Sequence, residues 1–255
     1  MVVLVAVIHY NSQNGKKDTI SPVTHTAVAT VPGGLVVGDK KISNEDKKVG
    51  YKITALYPEI TSGTSEDAKI KMNHSIVDHI QTVISDFKKG TVDSGAAKST
   101  EESTLDINYQ IEPAQSLKHI LSIRLIEAIY ESGAAHAGNV IETMNLDTST
   151  GEKIGLSAIF SVHPESYLKR LSDFTSAELK KKLGNDAGTL ENIQAGTAPT
   201  EENFGTYTIT NTGIIFIFQE YQVAPYAAGA QEVLVPYTAI QDMVSRDGPL
   251  ASVRK

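Results

Sequence analysis

Residues 66–90, EDAKIKMNHSIVDHIQTVISDFKKG, and residues 105–111, LDINYQI, lie one loop apart and differ in hydrophobic period. In the first stretch Ile76, Val77, Ile80, Val83, Ile84 and Phe87 recur at spacings of three and four, which places them on one helical stripe. A helix is expected from about Glu66 to Lys88, with Thr64 and Asp67 as a capping box and Gly90 as its stop. In the second stretch Leu105, Ile107, Tyr109 and Ile111 alternate strictly, the pattern of a strand with one buried face.

Outward from this pair, Val49–Ile60 alternates as a strand with Tyr51, Ile53, Ala55 and Tyr57 on one face, and Pro58 is expected to end or kink its pairing. Residues 11–47, rich in turn formers around short β-branched runs, read as a linker or loosely packed extension. Downstream, Leu117–Tyr130 reads as a strand, although its composition also admits a helix, and Asn139–Leu146 reads as another. Asp147–Gly151 supplies a turn, after which Glu152–Phe160 continues in the same manner. Pro164 can start a helix whose stripe begins with Tyr167, Leu168, Leu171 and Phe174 and runs to about Leu183. Residues 184–200 read as a polar loop. Strands follow at Phe204–Thr210, Gly213–Phe218 and Glu232–Pro236, with a hairpin turn at Asn211-Thr212-Gly213 and a short helix over Tyr237–Val244. The sum is an α+β fold: antiparallel sheets with two main amphipathic helices and a short C-terminal helix.

A net charge of −7 argues against a nucleic-acid binder, and the lysines at 40, 41, 47 and 48 are interleaved with Asp39, Glu45 and Asp46. The acidic balance favours cationic partners instead. With no cysteine, disulfides, thiolate metal sites and cysteine nucleophiles are excluded. Met1–Ile8 is apolar but far short of the roughly 20 residues that span a bilayer, so it reads either as a first strand or as the end of a membrane anchor.

Catalytic signatures such as G-x-S-x-G, G-x-x-x-x-G-K-[ST] and H-E-x-x-H do not occur. Ser85-x-x-Lys88 and Ser166-x-x-Lys169 match a serine–lysine pattern, but both fall on amphipathic helices without the accompanying motifs. His74 and His79 sit five apart on one helix, about 140° from each other, and cannot share a metal. Asp147-x-Ser149-x-Gly151 lacks the distal glutamate of a calcium loop. No metal or cofactor is expected. Two stretches stand out: Gly133-Ala-Ala-His136-Ala-Gly-Asn139, and Tyr221-Gln-Val-Ala-Pro225-Tyr226-Ala-Ala-Gly229. Small residues allow close backbone approach and tyrosines offer rigid amphipathic contact area. The plain reading is a buried histidine and an irregular strand crossing. The sharper one is a shared recognition surface of His136, Asn139, Tyr221, Pro225 and Tyr226.

These stretches, with Tyr57-Pro58-Glu59-Ile60 ahead of Asn73, Asn145-Leu146-Asp147 with Thr150-Gly151, Ile159-Phe160, Tyr167-Leu168, Gly213-Ile214-Ile215-Phe216 and Val235-Pro236-Tyr237, resemble the paired extracytoplasmic domains of the anti-sigma factor RsiV and of PdaC-type peptidoglycan deacetylases. The resemblance covers about residues 49–245. It implies residues 1–47 as a tail or anchor remnant, 48–130 as a PdaC-like subdomain and 131–255 as an RsiV-like subdomain. It further implies an exported, membrane-tethered module, bacterial and non-catalytic, that binds lysozyme or peptidoglycan. The family's Gly-Gly-Ala-His is here Gly133-Ala134-Ala135-His136, one position less free. Anti-sigma and deacetylase activities are not expected of residues 1–255. The competing expectations are a glycan- or peptide-processing enzyme centred on His136 with Glu127 or Asp147, requiring a closed pocket, and a structural spacer without a ligand.

Overall fold

The computed structural model describes residues 28–30, 34–93, 101–114 and 117–254, so Met1–Ile8 lies outside the described residues. Among the described residues nine strands form two sheets. The first sheet contains β1 (Val28–Thr30), β2 (Val36–Asp46), β3 (Tyr51–Ser62), β4 (Ser103–Ile111), β5 (Ile120–Tyr130) and β6 (Gly138–Asp147), in chain order. All its neighbours are antiparallel except β3 and β4, which run parallel because the long helix α1 (Glu66–Asp93) crosses between them. The second sheet is β7 (Tyr207–Ile209), β8 (Gly213–Phe218) and β9 (Gln231–Pro236), all antiparallel. Between the sheets in sequence come α2 (Leu156–Ile159), α3 (Pro164–Leu183) and α4 (Ala187–Gly196). The molecule is α+β.

Helix α1 lays Met72, Ile76, Ile80 and Ile84 on the first sheet, where they meet Ile53, Leu105, Ile107, Ile123 and Leu125. Val77 belongs to the expected stripe but is exposed. Ser65, rather than Thr64, caps the helix by accepting the amide of Ala68. Gly90 does not stop it: Thr91 is buried and its hydroxyl donates to the Phe87 carbonyl, carrying the helix to Asp93. Pro58 does not end β3 but pairs with Asp39, and the β3–β4 pairing has already ended at Ala55. On that edge the missing N–H therefore costs no ladder bond.

Four expectations are corrected. Residues 36–46 are not linker but β2, whose charged residues face solvent, with Lys40 paired across the strands to Glu59. Charges on a strand largely lacking an outer neighbour hide its strand signal while protecting the edge. Residue 130 ends β5, which pairs with β6 along its length, so residues 138–147 share the first sheet. Residues 152–160 make a single bridge to β6, Lys153 opposite Leu146, with the Glu152 carbonyl accepting from the Asp147 amide and the Ile154 amide donating to the Asn145 carbonyl, and then turn into α2, burying Ile159. Within 184–200, Asp186 caps α4 by accepting both the amide and the hydroxyl of Thr189, and Ile193 is buried. The closing helix is a single 3-10 turn, Tyr237–Ala239. Beyond it the backbone bonds to the α2 end instead, with Ser161 donating to Met243 and Ser245 to Ile159.

The second core gathers Ile159, Phe160, Tyr167, Leu171, Phe204, Phe216, Phe218, Val235 and Val244. It joins the first sheet through β7. The Tyr207 amide donates to the Thr143 hydroxyl, the Ile209 amide to the Ser122 hydroxyl, and the Tyr207 carbonyl accepts from the Asn145 amide group. Ser122 in turn donates to the Asn145 oxygen. Arg124 adds ion pairs to Glu112 and to Glu232 on β9.

Replacing Asn145 with Ala orphans the Tyr207 carbonyl and strips Ser122 of its acceptor. At about 1–3 kcal/mol for each buried unsatisfied group, the urea midpoint is expected to fall by several times the loss seen for an exposed control such as Ser85→Ala.

Candidate functional site

The segments singled out in the sequence meet in space. The hairpin joining β5 and β6 carries His136, and the segment leaving β8 carries Tyr221, Pro225 and Tyr226. The His136 and Tyr226 rings stack with centroids 4.0 Å apart and planes 20° apart. Tyr221 extends the stack, 5.7 Å from Tyr226 at 28°. The Tyr226 hydroxyl donates to the Ala137 carbonyl at 2.8 Å, tying one segment to the other. His136 is exposed rather than satisfying buried backbone groups, and its Nδ1 lies 3.2 Å from the adjacent Ala137 carbonyl. Pro225 is exposed and leads into the 3-10 turn Tyr226–Ala228.

The backbone reaches this arrangement by specific means. Gly133 takes φ +84°, while Ala134 is absent from the residues at positive φ, so the alanine in the 133–136 segment costs no strain. Tyr221 takes φ +68°, a conformation costly for a large side chain, and is 65% exposed. The segment is pinned from below. A side chain at Gly196 would sit 2.1 Å from the Gln222 carbonyl, so only glycine lets α4 approach. The Gln222 amide donates to the carbonyls of Gly196 and Asn203.

Sequence reasoning missed Gln219 and Glu220. Gln219 bonds both backbone groups of Ile141 on the outer edge of β6. Glu220 accepts from the amide and the side chain of Asn139. The only signal was their position, two polar residues ending the apolar run of β8. Together the two segments line an open depression of about 400 Å³, walled by Ile129, Val140 and Tyr221 and edged by Glu131, His136 and Glu220. Partial burial and then the charge of Glu220 push the Tyr226 hydroxyl above its ordinary pKa.

The acids expected beside His136 are engaged elsewhere. Glu127 is buried on β5 and faces His79 of α1, with Nε2 to Oε1 at 3.4 Å. Asp147 accepts from the Ser149 and Thr150 amides and the Ser149 hydroxyl; burial opposes ionisation, yet these bonds hold its carboxyl below the ordinary value. Of the serine–lysine pairs, Lys88 lies over the Tyr51 ring and Lys169 pairs with Asp173. Among the described residues no group of three His, Cys, Asp or Glu side chains is arranged for a metal ion, and no helix is long and apolar enough to cross a membrane.

A second cleft, of about 490 Å³, opens beside β6 and is lined by His79, Glu142, Lys153, Ser157, Glu201 and Tyr207 among others. Burial raises the Glu142 carboxyl, with His79 opposing and Glu127 adding to the shift.

An α+β domain with an exposed aromatic face and an acidic rim is thus the class defined by fold and site. Residues 157–238 match the family described as "Protein of unknown function (DUF3298)". The chain is 29% identical over 174 residues to the peptidoglycan-N-acetylmuramic acid deacetylase PdaC of Bacillus subtilis, covering 68% of this chain and 36% of that protein. It is 26% identical over 121 residues to the immunogenic protein MPT64 of Mycobacterium tuberculosis, 48% of this chain and 51% of the relative. The chain therefore spans between about a third and a half of these curated relatives. A solved DUF3298 family member from Bacteroides fragilis shares the fold at TM-score 0.64 and 18% identity, covering 87% of this chain and 98% of its own. Another from Pseudomonas aeruginosa does so at 0.58 and 13%, covering 83% and 94%.

Because its folded-state carboxyl titrates above the unfolded value, Glu142 binds its proton more tightly in the folded protein. Stability therefore falls as pH rises from the unfolded Glu value, about 4.3, through the folded one. Glu142→Gln is expected to raise the urea midpoint near neutral pH, and the gain is expected to vanish below the unfolded value.

Proposed function

We propose that this chain is an extracytoplasmic binding module of the cell envelope, non-catalytic, whose partner is lysozyme. The observation that carries the reading is the exposed stack His136–Tyr226–Tyr221 set against Glu131 and Glu220. Aromatic faces beside carboxylates suit the arginine and lysine side chains of a cationic protein, through cation–π contact and charge complementarity. The chain's overall charge of −7 steers such a partner in the same sense. The strained backbone at Tyr221 supports a selected, outward ring. In this reading Pro225 fixes the loop that presents Tyr226, and Asn139 ties Glu220 in place. Export and tethering to a membrane belong to the same proposal, supported by similarity to a protein named for its action on peptidoglycan.

Peptidoglycan is the second reading, favoured by the same tyrosine faces, on which sugar rings stack, and by that relative's name. A reaction centred on His136 is less well supported, since Glu127 and Asp147 have other partners and the depression is open. A spacer without a ligand offers no account of an exposed tyrosine held at positive φ.

Calorimetry of the purified chain with a C-type lysozyme, at low and physiological salt, tests the proposal. A stoichiometric complex that survives physiological salt is expected, weakened at least about tenfold by Tyr226→Ala, as for an aromatic anchor. Binding that disappears with salt, or that Tyr226→Ala leaves intact, removes lysozyme at this face, and muropeptides then take its place in the same assay.

A further inference from the structure

The second cleft collects charged groups that the aromatic face does not use. His79 reaches it from α1, Glu142 from β6, Lys153 from the segment after the turn and Glu201 from the segment before β7. Behind His79 lies Glu127, its side chain 5% exposed. Its Oε1 has no hydrogen-bond partner, and neither has His79 Nε2, which faces it at 3.4 Å. The Tyr167 hydroxyl is also buried without a partner, and the charge of Glu201 acts on it. Among the described residues neither Glu142 nor Glu201 has an ion-pair partner. Three carboxylates thus lie in or behind one cleft, against one lysine.

We propose that this cleft binds a primary ammonium group, held by Glu142 and Glu201 with the His79–Glu127 pair behind them. A compact cation fits better than a metal ion: divalent metals need several ligands converging at roughly 2.0–2.6 Å, and no described group meets that demand. Ammonium bonds are longer, about 2.8 Å, and tolerate wider spacing. The acceptors approach from three separate elements, which matches the three rotatable donors of an ammonium better than the flat fork of a guanidinium. An incoming cation would also offset the mutual repulsion that, together with burial, raises Glu142.

The probe is butylammonium, with butanol as its uncharged counterpart, titrated into the labelled chain and followed by amide chemical shifts. Saturable shifts are expected at Thr143, Lys153 and Ser157 with butylammonium and not with butanol. Glu142→Gln and Glu201→Gln are each expected to weaken them about tenfold, the worth of one charge-assisted hydrogen bond. Tyr226→Ala is expected to leave them unchanged, which separates this test from that of the aromatic face. No saturable shift, equal shifts with butanol, or indifference to both glutamine variants overturns the proposal. A blocked pentapeptide with one central lysine distinguishes the source: shifts equal to those of butylammonium identify a polypeptide side chain as admissible, and shifts from butylammonium alone confine the cleft to free amines.

Discussion

The structure depends on how the short strand β7 is docked. Its inner edge pairs with β8, and its outer edge faces the β5–β6 surface, with no further strand of its own sheet to bond. Side chains supply what a strand would have supplied: Thr143, Ser122 and Asn145 bond the Tyr207 and Ile209 backbone groups. An unpaired buried amide or carbonyl is expensive, so these three residues fix the position of β7 against the first sheet. The Tyr207 hydroxyl, bonded to the Ile154 carbonyl, extends the joint to the segment before α2. Burial keeps that phenol well above its ordinary pKa, so it remains a neutral donor.

Everything at the aromatic face follows from that joint. Once β7 and β8 are placed, residues 219–229 leave the second sheet alongside β6 of the first. The hairpin carrying His136 belongs to one sheet and the tyrosines to the other, so neither sheet alone makes the stack. Two acidic settings result, with different characters. The rim of Glu131 and Glu220 is open, whereas Glu142 is half-buried and Glu127 is buried, near enough for the charge of Glu127 to act on Glu142.

Strong periodicity was legible in the sequence. The α1 stripe, the alternation of β4, the β5–β6 pair and the β7–β9 hairpins all correspond to elements in the structure. What escaped has physical causes. β2 has charges where a buried strand would have apolar residues, and α4 buries too few side chains to show a stripe. Residues 240–243 make only isolated turn bonds, and Met243 and Ser245 bond to the end of α2 rather than extending a helix. At the aromatic face, unusual composition drew attention to His136, Asn139, Tyr221, Pro225 and Tyr226, and the structure brings their two segments together. Glu220 and Gln219 were not legible because their roles consist of reaching another strand's backbone. The His79–Glu127 contact was invisible for the same reason, since it joins residues 48 positions apart on a helix and a strand.

The Gln219 side chain also bears mechanical load. Its amide grips both the N–H and the carbonyl of Ile141, like the last tooth of a zip, and closes a margin of the sheet that would otherwise be open. The same residue is the anchor point of the chain leading to Tyr221. A load applied to the tyrosines is therefore shared by this clasp with the Glu220–Asn139, Gln222 and Tyr226 bonds, and only then reaches the pairing of β6 with β5. Peeling that clasp would bare the strand's flank to another polypeptide, so the loop that presents the aromatic rings also serves as the latch on the sheet's margin.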